Sequence, residues 1–321
     1  MISTHWLEKR QPHWRRLETL VEQSGRQGVQ RLSRPELQEL GLLYRQIASD
    51  LSTVREDAAS QQMATYLNQL LGRAHNLIYM GRPTSAAGIV QFFRSTYPRL
   101  FRENAGYCLT AFLIFLAAAI AGMALSLSDP GFERYFLGGR MIDTIEQHQM
   151  WTHSVVSVKP LASSFILTNN ITVACATFAS GILAGLGTVY MLFFNGLLLG
   201  VIGTACWQAG MSSQLWSFVA PHGVLELPAI FIAGGAGLLL ARGLLFPGSL
   251  PRRDSVAEAG GRAVRLVLGV IPMLVIAGFI EGYLSPSSFP VPLKFALGAA
   301  AAAALMLYLF SGSEEWERIE K

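Results

Sequence analysis

The sequence predicts an all-α membrane protein, a polytopic bundle of six transmembrane helices behind an N-terminal cytoplasmic helical domain. Three observations carry that expectation. Charged residues make up 14% of the chain, against roughly 25% in an average soluble protein. Hydrophobic residues make up 51% and the mean hydropathy is +0.38. Uncharged runs also recur at lengths that suit a bilayer, whose hydrocarbon core takes about 20 residues of helix to cross. The formal net charge is only +4, too small to argue for a nucleic-acid partner.

The polar first part spans residues 1–97. Leu37, Leu40, Tyr44, Ile47 and Leu51 recur at helical spacing, and Ser33 followed by Glu36 reads as a capped helix start. A second helix is expected from about Gln61 to Met80, stopped by Gly81-Arg82-Pro83-Thr84. His75 reads as a packed or capping residue. The N-terminus has no apolar core of the kind a cleaved signal needs.

Residues 98–311 form the predicted membrane domain. The first crossing is Cys108 to Leu127. Residues 128–160 follow as an outer loop, with an amphipathic segment around Met141 to Trp151 suited to a membrane surface. Residues 171–207 carry no charge at all. That is too long for one crossing and suits two, broken at GILAGLGT, so helix two is expected at 168–186 and helix three at 188–209. Helix four is expected at 221–246, helix five at 264–284 and helix six at 292–310. Residues 312–321 are a short polar tail.

Basic residues set the expected orientation. Residues 1–107 hold 14 Lys/Arg against 9 Asp/Glu, and Arg242, Arg252, Arg253, Arg262 and Arg265 cluster in the connection at 242–265. Both termini and that connection are therefore expected on the cytoplasmic side of a bacterial inner membrane. The pairs Gly181/Gly185 and Gly196/Gly200, with Gly234, Gly235 and Gly237, predict close helix packing and allow a homodimer. Cys108, Cys175 and Cys206 lie in apolar stretches and form no CxxC pair, so they read as small membrane-embedded hydrophobes.

Polar groups inside the spans are the candidate functional residues. His222 and Glu226 are four apart on one helix face, and Glu281 should reach the same outward depth from helix five. Asn170 starts helix two, and Asn195 lies deeper in helix three. A lone carboxylate in hydrocarbon costs about 3 kcal/mol on insertion scales, so these groups should face each other or a wet recess. Three roles fit: a structural polar latch, a permeation or proton-coupled site in a small transporter or channel, and a metal site for hydrolysis. HxxxE is a weak metal motif and HExxH is absent. P-loop and GxSxG signatures are absent too, so no enzymatic activity, no cofactor and no metal is expected.

Several segments resemble the stage II sporulation protein M family of integral membrane proteins. They are LYRQIASDL (43–51), YLNQLLGRAHNLIY (66–79), NNITVACATFASGILAGLGTVYMLFFNGLLLG (169–200), PHGVLELPAIFIAGGAG (221–237) and FIEGYLSP (279–286). The resemblance implies a membrane scaffold or assembly protein that positions envelope or cytosolic protein partners. It also marks Asn170, Asn195, His222, Glu226 and Glu281 as the positions to carry over.

Overall fold

The computed structural model describes residues 4–24, 32–57, 60–79, 86–150 and 159–310. The tail at 312–321 lies outside them, as do the expected helix stop Gly81-Arg82-Pro83-Thr84 and Trp151. The described residues form helices and the links between them, with no strand. The chain divides into two compact units, Met1–Val90 and Gln91–Lys321.

The first unit is built from α1 (Thr4–Ser24), α2 (Arg34–Arg55) and α3 (Gln61–Tyr79), with the short α4 (Ala86–Gln91) at its end. The apolar spacing of α2 and α3 faces the core except at Leu37, which is exposed. Leu40, Leu43, Ile47, Leu51, Leu67, Leu70 and Leu71 form one buried core with Trp14, Leu17 and Leu20 of α1. Ser33 caps α2 as expected: its backbone N–H and hydroxyl both donate to Glu36 Oε2, at 2.8 and 2.7 Å. Those two bonds hold the Glu36 carboxyl below its ordinary pKa. His75, expected to be packed or capping, is instead exposed on α3, with Nδ1 3.2 Å from the Tyr44 hydroxyl. Asp50 is buried among these apolar side chains, unannounced by the helical spacing, and accepts from Trp14 Nε1 at 2.8 Å.

The second unit opens with α5 (Tyr97–Glu103) and α6 (Ala105–Ser128). Two short helices follow, α7 (Pro130–Leu137) and α8 (Gly139–Glu146). Next come α9 (Lys159–Ala179), α10 (Leu186–Gln208), α11 (Ser212–Leu245), α12 (Arg252–Phe279) and α13 (Val291–Phe310). Among the described residues, five helices are long and apolar enough to cross a membrane: α6, α10, α11, α12 with the turn that continues it to Leu284, and α13. Expected helix two, α9 here, is not one of these five. It starts nine residues earlier than expected and gives way at Ser180–Ile182 to a tighter turn. Ala184 and Gly185 then adopt positive φ of 53° and 84°. That reversal explains Gly185, since a left-handed backbone disfavours a side chain.

Helix α11 is the axle of the unit, touching α6, α9, α10, α12 and α13. In its most apolar stretch 67% of residues are buried, against 17% for α13 at the rim. It also corrects the expected start of helix four. Pro221 lies inside the helix, not at its first turn. The preceding segment stays helical because Leu215 and Met211 are buried against Ile142, Ile145 and Cys206. The same contacts turn the amphipathic outer segment inward: α8 lays Ile142 and Ile145 on protein.

A second correction concerns the basic connection. Arg252, Arg253, Arg262 and Arg265 all lie on α12, so the link from α11 to α12 is only residues 246–251. The tight junction is made by Gly243, where an added Cβ would meet Ala259 Cβ at 2.6 Å. Ser255 Oγ donates to the Gly243 carbonyl at 2.8 Å. The other glycine faces are likewise filled within the chain. A Cβ at Gly196 or Gly200 would strike the carbonyls of Phe115 and Ala119 on α6, and one at Gly181 would strike Gly237 of α11. The glycines therefore carry no argument for a second copy.

Candidate functional site

Three of the expected site residues converge. His222 and Glu226 project from successive turns of α11, between its two internal prolines, Pro221 and Pro228. Proline has no N–H, so each removes one bond of the helical ladder. His222 lies ten residues into the helix, about 15 Å from its start. It therefore sits deeper in α11 than a first-turn position would place it.

Glu281 arrives from the opposite helix through a change of geometry. At Ile280–Leu284 the α-helix widens into a π-helical turn, closed by the Ser285 N–H bonding the Ile280 carbonyl at 2.9 Å. Single π turns of this kind are common at functional sites. Here the wider turn lets both Glu281 and Ser285 reach His222. The imidazole Nε2 lies 3.9 Å from Glu226 Oε2 and 4.0 Å from Glu281 Oε1. Both gaps exceed hydrogen-bond range. On the other side of the ring, Nδ1 is 3.0 Å from the Ser285 hydroxyl. The Phe218 ring meets the imidazole edge-on at 5.6 Å.

The group is nearly enclosed. Side-chain exposure is 6% for His222, 18% for Glu226 and 15% for Glu281. The Oε2 atom of Glu281 is buried and makes no hydrogen bond. A buried carboxylate oxygen left that way costs of order 1–3 kcal/mol or more.

Two further residues support the group, and the candidate list lacked both. Ser285 orients the imidazole. Lys294, in the first turn of α13, donates to the carbonyls of Ser285 and Ser287 at 2.7 and 2.8 Å. Its signal in the sequence is a single cation opening an otherwise uncharged helix, just beyond the FIEGYLSP segment that carries Ser285.

Asn170 and Asn195 do not join the three by any hydrogen bond. Asn170 accepts from its neighbour Asn169 at 3.3 Å. It lies on α9, which packs against the π turn. Asn195 donates to the Met191 carbonyl of its own helix at 2.7 Å. A cavity of about 460 Å³ opens between α6, α10 and the start of α11, lined by Ala119, Met123, Leu199, Gly203, Trp207 and Trp216 among others. None of His222, Glu226, Glu281 or Asn195 lines it.

The family model for stage II sporulation protein M matches residues 111–286, more than half the chain. The chain belongs to the stage II sporulation protein M family. The match runs from within α6 through the π turn, and so contains His222, Glu226, Glu281 and Ser285. A second model, described as a domain of unknown function, matches residues 4–80 of the first unit. One curated relative, Uncharacterized protein MJ0793 of Methanocaldococcus jannaschii, is 32% identical over 123 residues, covering 38% of this chain and 69% of that protein. No solved structure matches. As a sporulation protein M family member, the chain is a helical membrane protein whose ionisable core groups gather at one helix junction.

Proposed function

We propose that this protein is a membrane scaffold or assembly component of the stage II sporulation M type, holding envelope or cytosolic partners in place. In this reading it sits in the inner membrane, and its termini and the Arg-rich start of α12 face the cytoplasm. The observation that carries the reading is the closed junction of α11 and α12. His222, Glu226 and Glu281 are packed between helices and lie off the apolar cavity, as a latch requires. Deeper in the bundle, Asn195 turns back on its own helix rather than extending a polar path.

The test compares two assays. The full chain extracted from its native membrane in mild detergent should migrate as a complex of fixed stoichiometry, and Glu226→Gln should keep that complex. The purified chain in liposomes should pass no protons or ions above the empty-vesicle rate. His222→Ala should lower the melting temperature in detergent by several degrees. Flux that disappears in Glu226→Gln, with folding intact, replaces the scaffold with a transporter.

A further inference from the structure

We propose that His222, Glu226 and Glu281 form a binding site for one divalent transition-metal ion, zinc first, which clamps the end of α12 to α11. The donor atoms of the three side chains all lie within 4.8 Å of one another. Nε2 stands 3.9 and 4.0 Å from the two carboxylate oxygens, which is too far for direct hydrogen bonds. Zinc bonds to imidazole nitrogen and carboxylate oxygen run about 2.0–2.2 Å. Tetrahedral donors at that radius stand roughly 3.4 Å apart, so closing on the ion asks each side chain to move by only a fraction of an ångström.

The surroundings match a metal-binding imidazole. Such a ring ordinarily engages a polar group through its other nitrogen, which fixes tautomer and orientation. Ser285 takes that place at 3.0 Å from Nδ1, directing Nε2 toward the carboxylates. The buried, unbonded Oε2 of Glu281 is an acceptor without a positive partner. No Arg or Lys lies within ion-pair distance of Glu226 or Glu281 among the described residues, and Lys294 is engaged with backbone carbonyls. A dication would balance two carboxylates.

The donor set also narrows the ion. One imidazole with two carboxylates suits zinc, manganese, iron, cobalt or nickel, whereas calcium and magnesium prefer oxygen alone. Three protein donors leave a fourth position for water. The proposal concerns binding at the junction and stands apart from the scaffold reading, which is judged on flux and on the native complex.

The experiment uses the full chain in detergent, stripped with a chelator and titrated with zinc chloride against a chromophoric competitor. One equivalent per chain should bind and raise the melting temperature by about 3 °C or more. Cobalt(II) in its place should give the visible absorption of a four- or five-coordinate site. Glu281→Gln, close to isosteric, should weaken zinc binding about 100-fold or more, as should His222→Ala if it folds. Glu258→Gln, at the exposed Arg262 pair, should bind zinc unchanged. Zinc below a tenth of an equivalent with no thermal shift would overturn the proposal. So would equal zinc in Glu281→Gln, which marks an adventitious ion, or a zinc-soaked structure with only water between the three side chains.

Discussion

The α6–α10 contact and the α11–α12 contact join helices in opposite ways. Between α6 and α10 the chain removes side chains: Gly196 and Gly200 lie against the carbonyls of Phe115 and Ala119, and Gly122 against that of Leu197. Between α11 and α12, Gly243 closes one end in the same manner, while the other end is filled with an imidazole and two carboxylates. In lipid no hydrophobic force draws helices together, so close van der Waals contact and polar bonds are the available means. The first contact needs nothing but shape. The second holds groups that hydrocarbon rejects, and its chemistry is open to a ligand.

That contrast can be broken most severely at the glycines. Gly200→Leu should lower the melting temperature by ~10 °C, since overpacking against backbone costs about 3 kcal/mol or more. The loss of a monodisperse peak in detergent would report it. Gly106→Ala, where an added Cβ meets nothing within 4 Å, should leave stability unchanged or slightly raised. At the polar junction the expected effect is smaller. Ser285→Ala removes one hydrogen bond, worth about 1 kcal/mol, and should weaken zinc binding roughly 10- to 100-fold. A cobalt spectrum changed in position as well as strength would show that Ser285 orients the imidazole. A smaller effect than at Ser285 belongs to Asn195→Ala. Its bond lies within its own helix, so the stability change should stay under about 0.5 kcal/mol, with zinc binding intact. A large loss there would place Asn195 in the polar core and weaken the contrast.

Much of this was legible in the sequence because lipid imposes strong rules. The uncharged runs located α6, α10 and α13 to within a few residues, and the spacing of His222 and Glu226 placed them on one face. The junction partner Glu281 followed from the low tolerance of hydrocarbon for a lone carboxylate. What stayed hidden depended on contacts distant in the chain. Pro221 looked like a helix start because local propensity favours it there, but burial of Met211 and Leu215 against α8 extends the helix past it. Four arginines looked like loop residues because charge usually ends a span, yet α12 continues beyond the apolar stretch. Ser285 lies just past the expected end of helix five, and only the π turn brings its hydroxyl to His222.

One feature near the entrance to the bundle has a mechanical meaning. Gly269 of α12 leaves its Cβ space to the ring of Tyr97, which is fully buried. Five residues on, Arg102 donates to the Leu309 carbonyl at 3.1 Å, at the end of α13. The short helix α5 is thus pegged at two points to spans that follow it much later in the chain. A pull on the polypeptide upstream of Tyr97 would load α12 and α13 before α6, so the bundle would resist as one body and its first span would not be drawn out alone.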